Sequence, residues 1–200
     1  MRATFDKLIS WAGVLLVAVL LVAGGLLTWA HNFVGNQVHD QLSQQHITMP
    51  TDKTGLADLP SADKAALEKY AGKPLTTGPQ AKAYADHFIR VHLSEAANGQ
   101  TYSEVSGQYV AQCSDPTAAA TPACQKLGGI RQTLFMGDTL RGLLLYGYAF
   151  ATIGTIAGYA AIAAWIGAVA LLVLVGFGFW HSRRAGQTVA AVPQPAGAHS

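Results

Sequence analysis

Residues 142–180, GLLLYGYAFATIGTIAGYAAIAAWIGAVALLVLVGFGFW, form a run of 39 residues without one formally charged side chain. As one helix at ~1.5 Å per residue this run would extend ~58 Å, nearly twice the ~30 Å thickness of a bilayer core. It is therefore either one span that overshoots the membrane or two spans folded back on each other. No Pro, Asn, Asp or charge occurs near residues 160–164 to make a turn, which favours one helix.

The segment after the run, Trp180-His-Ser-Arg183-Arg184, is basic, and the positive-inside bias puts it in the cytoplasm. An earlier apolar block, residues 8–30, follows Arg2 and Lys7 and carries Trp11 and Trp29 near its two ends. Eighteen residues separate those tryptophans, ~27 Å along a helix, which suits a pair of interfacial anchors. Two inward-facing termini require an even number of spans, so the second run is expected to cross once. A cleavable signal peptide is the rival for the first block, with Thr28-Trp-Ala30 as a poor cleavage site. Either way the middle of the chain is exported.

The expected fold class is an all-α membrane protein: two transmembrane helices flank a small helical extracytoplasmic domain, the second span extending beyond the bilayer as one long helix. The boundaries read as a cytoplasmic N-terminus at 1–7, a first span at 8–30 and a helical domain at 31–130. An extracytoplasmic part of the long helix at 131–158 follows, then a second span at 159–180 and a disordered cytoplasmic tail at 181–200. Both termini are expected inside a plasma (inner) membrane, with residues 31 to about 158 outside.

Composition narrows the function. Half of the 200 residues are hydrophobic and 12% are charged, with a net charge of +2. Residues 31–141 hold ten acidic and nine basic side chains in a mixed pattern. A clustered basic face is absent, so no nucleic-acid partner is expected.

Within the exported segment, LPSADKAALEKYAGKP (59–74) reads as a short helix with Ser61 as N-cap and Gly72 as its stop. Residues 77–100 read as a longer helix with Pro79 at its start and Asn98-Gly99 at its end. Its apolar face, Tyr84, Phe88 and Val91, is a natural cover for the overshooting helix. Thr101-x-x-Glu104 is a capping box that predicts a third helix.

Cys113 and Cys124 bracket ten residues of an exported segment. A disulfide closing that loop is expected. A redox pair favours C-x-x-C spacing, and two cysteines without a nearby His make a poor metal site. On the long helix, Gly154-x-x-x-Gly158 followed by Ala161 forms a small-residue stripe for close packing, against the first span or against a second copy.

No catalytic, cofactor-binding or metal-binding motif is present. His87 and His92 are five apart and do not share a helix face; His92 and Glu95 could meet but make an incomplete site. His31, His39 and His46 read as surface histidines, and no nucleophile is paired with a base by spacing.

The stretches QLSQQHITMP (41–50), AGKPLTTGPQAKAYADHFIRVHL (71–93), NGQTYSEV (98–105) and RQTLFMGDTLRGLLLYG (131–147) together resemble a family of small actinobacterial two-span membrane proteins that is largely uncharacterised. Some members carry an automatic label of aromatic ring-opening dioxygenase. That chemistry uses ferrous iron held by two His and one carboxylate, and the spacings here do not assemble such a triad. The resemblance implies two spans around one exported segment. The expected role is that of a non-enzymatic accessory, scaffold or assembly subunit of an envelope or respiratory membrane complex. Its partners would be membrane lipids and a membrane protein or a second copy. A lipid- or small-ligand-binding ectodomain, with its pocket between residues 80–97 and the overshooting helix, is the alternative.

Overall fold

A computed structural model of the chain describes the backbone of residues 2–190, with side chains described for residues 8–181 and for Arg183. The charges of Arg2, Lys7 and Arg184 and the end of the tail expected at 181–200 lie outside the described residues. Two helices dominate: α1 (Arg2–Ser43), of 42 residues, and α7 (Pro122–Ala190), of 69 residues. Between them come a 3₁₀ turn (Asp52–Thr54), α2 (Ser61–Glu68), α3 (Gly78–Tyr84), a π turn (Ala85–Ile89), α4 (Arg90–Ala96), α5 (Tyr102–Cys113) and α6 (Pro116–Ala119). Among the described residues no strand occurs, so the fold is all-helical.

Both long helices are long and apolar enough to cross a membrane, with 18-residue windows of mean hydropathy 2.4 and 2.5. Only 17% and 11% of those windows are buried inside the protein. The core helix of a soluble protein would be mostly buried, so the outward apolar side chains call for an apolar surrounding.

Each long helix exceeds the boundaries read from sequence. Helix α1 continues through residue 30 to Ser43, and α7 starts at Pro122 and runs past Trp180 to Ala190. Residues 31–43 contain no Pro, and the lone Gly35 costs only ~1 kcal/mol in a helix. Pro122 opens α7 where its missing N–H is harmless.

The chain divides into two compact units. In the first, residues 1–32 and 155–200, the helices run antiparallel: Ser10 lies beside Gly178, Leu20 beside Gly167 and His31 beside Gly158. Contact is made through small residues, since Ala161, Ala164 and Ala168 are buried along one side of α7. The Trp165 ring lies against Gly24, where a Cβ would sit 3.1 Å from it. The indole Nε1 donates to Thr28 Oγ1 at 3.2 Å, and Thr28 in turn donates to the Gly24 carbonyl at 2.7 Å.

The second unit, residues 33–154, has its main core at Met49, Leu56, Leu67, Leu75, Ala81, Ala85, Ile89 and Val91, joined by Val38 and Leu42 of α1 and Leu144 of α7. A smaller cluster, Ala97, Val105 and Leu134, fixes α5 on α7. Short antiparallel backbone pairing ties residues 47–49 to 72–75, with Met49 N donating to Lys73 O and Leu75 N to Ile47 O.

The caps follow the local chemistry, with one correction. Thr101 and Glu104 form the expected box, Glu104 accepting from the Thr101 amide at 2.7 Å. That bond holds the exposed Glu104 carboxyl below its usual range. Asn98 and Gly99 both take positive φ (50° and 79°) and stop α4. Ser61 is not the N-cap of α2: Pro60 occupies that position and Ser61 is the first helical residue, with no side-chain cap. Thr77 and Gln80 form a further capping box that opens α3.

Candidate functional site: an uncharged groove on the helical unit

The second unit carries a groove of about 510 Å³. One wall is the 33–45 stretch, where Phe33, Gln37, Gln41 and Gln45 recur every fourth residue of one helix face and its continuation. The other wall is α7, through Leu140, Leu143, Tyr146, Gly147 and Phe150. Val38, Leu42 and Leu144 form the floor and belong at once to the main core, so the groove rests on packed side chains. None of the thirteen lining residues is charged. Its polar groups are three Gln amides and one phenol, all of which can donate and accept hydrogen bonds.

An ion-pair frame holds α3, the π turn and α7 together. Asp86 accepts from Lys82 one turn earlier and from Arg141 Nη2 at 3.0 Å. Burial by itself would raise the Asp86 carboxyl, but the hydrogen bonds and charges of Lys82 and Arg141 outweigh it and hold the group below its ordinary value. Arg141 Nε is buried without a hydrogen-bond partner among the described residues. Asp63 of α2 likewise accepts from His87 Nδ1 at 2.8 Å and from Arg90 Nη2 at 3.1 Å. The π turn supplies both Asp86 and His87 to these bonds.

The residues singled out by sequence fall as follows. Cys113 and Cys124 are joined in a disulfide, with Cα atoms 5.7 Å apart. Gly154 and Ala161 are buried, and the His31 ring lies against Gly158. Val91 is in the main core, with Tyr84 and Phe88 packed against it. Burial raises the Tyr84 phenol. Tyr84, Phe88 and His92 stack in series at 4.9 and 4.3 Å, and Phe88 also approaches Gly55. A different stripe of this helix meets α7: Gly78 packs on Tyr148 and Ala151, Lys82 lies 5.5 Å over the Tyr148 ring, and Leu93 reaches Gly137.

His92 Nδ1 lies 2.8 Å from the Phe88 carbonyl rather than near Glu95, and His87 bonds Asp63. Among the described residues no three His, Cys, Asp or Glu side chains converge as a metal site would require. The groove does not lie where the sequence suggests a pocket, beside residues 80–97. Its signal is nonetheless present as Val34, Val38 and Leu42 at four-residue spacing with Gln37, Gln41 and Gln45 alongside, a helical pattern running on from the first apolar block.

No family model matches the chain, and no curated protein or solved structure shows significant similarity to it.

Proposed function

We propose that this is a membrane-anchored, non-enzymatic accessory protein that docks an apolar helix of a membrane partner along α7 in its helical unit. The observation that carries this reading is the exposure of Phe135, Met136, Leu140, Leu143, Tyr146, Phe150 and Ile153, each more than a third exposed. From Phe135 to Ile153 this stripe measures ~27 Å along the helix. That length is too great for a small ligand to cover and suits five turns of a partner helix. The Gln37, Gln41 and Gln45 amides offer hydrogen bonds to such a helix in apolar surroundings, each contributing ~0.6–2 kcal/mol.

In this reading α1 and α7 cross the plasma membrane with both termini in the cytoplasm. The helical unit lies outside, where an oxidising compartment maintains the Cys113–Cys124 bond. Site-specific photocrosslinking from position 146, whose tyrosine is 67% exposed, tests the docking surface in native membranes. One adduct mapping to an apolar helix of a single membrane protein, and lost on Leu143→Arg, is expected. Adducts spread over many proteins, or unchanged by that substitution, would overturn it.

The groove volume favours a second reading. About 510 Å³ falls within the ~300–1,000 Å³ range of small-ligand sites, so one lipid chain could occupy the groove. Native mass spectra carrying one lipid, displaced by Leu143→Arg, would select it over the helix-docking role.

A further inference from the structure

A second cleft, of about 310 Å³, lies between α5 and the start of α7; it shares no lining residue with the groove, and only Phe135 belongs also to the exposed stripe of α7. It is lined by Tyr102 and Tyr109 of α5 and by Gly128, Arg131, Gln132 and Phe135 of α7. The four α7 residues stand at i, i+3, i+4 and i+7, on one helix face. Tyr102 and Tyr109 are seven apart, also on one face. The Tyr109 ring packs against Gly128, where a Cβ would come within 3.1 Å of it. The Arg131 guanidinium sits 5.1 Å over the same ring. Tyr102 and Phe135 meet at 5.8 Å with their planes tilted by 48°, making an aromatic corner.

Among the described residues Arg131 forms no ion pair, in contrast to Arg90 and Arg141 of the same unit, which are both paired with aspartates. None of its N–H groups has a hydrogen-bond acceptor among the described residues. The guanidinium carbon lies over the Tyr109 ring, and the N–H groups around it remain as donors. A planar fork of this kind matches a carboxylate with two parallel hydrogen bonds. Next to it, the tilted aromatic corner accepts a further ring in edge or offset contact at ~4.5–7 Å.

We infer that this cleft binds a small aromatic carboxylate, its carboxylate on the Arg131 fork and its ring against Tyr102, Tyr109 and Phe135. Gln132 adds an amide that can bond a second polar substituent. The disulfide from Cys113 to Cys124 joins the end of α5 to the first turn of α7 and so holds the two walls in register.

The test is titration of the full chain in detergent with benzoate as probe, read by saturation-transfer NMR, with benzamide as the uncharged counterpart. Saturable binding of benzoate with Kd in the range of about 0.1–1 mM is expected for so small a ligand in an open cleft, with benzamide at least tenfold weaker. Arg131→Gln, which keeps length and helix propensity, is expected to weaken benzoate at least tenfold, and Arg131→Lys to recover little, since it restores the charge without the fork. Equal binding by wild type and Arg131→Gln would overturn the assignment, as would absence of saturable binding to wild type. If Arg131→Gln does not fold, the benzoate–benzamide comparison on wild type decides alone: equal affinities overturn the site.

Discussion

Asp86 shows how much a single side chain can fix in a small helical unit. It is 19% exposed and accepts from two cations, one from its own helix and one from α7. Its carboxyl is held below the ordinary value of 3.8. A depressed carboxyl contributes stability that is fully present above its unfolded pKa and is lost as pH falls through the folded one. The unit should therefore loosen from just above pH 4 downward. Asp86→Asn should cost about 1–3 kcal/mol near neutral pH, because it leaves the half-buried Arg141 with a weaker acceptor. It should also flatten the stability profile over the acid window. Thermal unfolding of the full chain in detergent at a series of pH values checks both, and parallel profiles for the two proteins would refute the assignment.

A second residue-scale prediction concerns Gly158, where a Cβ would fall 2.8 Å from His31 Nδ1. Gly158→Leu should force the two helices of the first unit apart and cost about 1–3 kcal/mol, the usual effect of overpacking. Gly25, where a Cβ would meet nothing within 4 Å, is the matched control: Gly25→Leu should be close to neutral. Equal melting temperatures for the two variants would show that the stripe is not a close contact.

Among the elements, those marked by local chemistry could be read directly from the chain. The Thr101–Glu104 box and the Asn98-Gly99 stop each act within one turn, so the residues themselves specify where α5 starts and α4 ends. The disulfide was legible for a similar reason: the chain's two cysteines have one possible partner each. What the sequence did not disclose depends on register between distant segments. The π turn at Ala85–Ile89 contains no Gly or Pro to announce it. It accompanies side chains that bond outward to α2 and α7, a tertiary circumstance invisible in a local window. The groove is likewise a property of residues 33–45 and 140–150 together.

The disulfide carries the prediction at this scale. Its two half-cystines are 11 residues apart, and closing such a loop contributes ~2–3 kcal/mol in the chain-entropy model. The bond joins α5 to α7 across the short α6, which Asp115 caps by accepting from the Thr117 and Ala118 amides at 2.9 and 3.3 Å. Replacing both cysteines by serine should lower the unfolding temperature of the helical unit by several degrees. The packing of Trp165 on Gly24 in the first unit should be unaffected, as followed by tryptophan emission. A melting curve unchanged by the double substitution would mean that the loop is held without the bond.

At the scale of the whole molecule the strongest constraint comes from the antiparallel pair in the first unit. Ser10 beside Gly178 and His31 beside Gly158 place the start of α1 next to the far end of α7. Two antiparallel helices that each cross a bilayer once must leave both chain ends on one side, whatever the orientation. The orientation then rests on charge: Arg183 and Arg184 follow the last apolar stretch, and Arg2 and Lys7 precede the first. The disulfide is an independent indicator, since a persistent bond belongs in an oxidising compartment. The prediction is that alkaline phosphatase fused after residue 120 is active while a green fluorescent protein fused after residue 200 is bright. Fluorescence and phosphatase activity at the reverse positions would invert the topology. Phosphatase activity at both would imply an odd number of crossings and refute the paired spans. The phosphatase result also bears on both binding proposals, because it decides whether the groove and the Arg131 cleft meet extracytoplasmic or cytoplasmic partners.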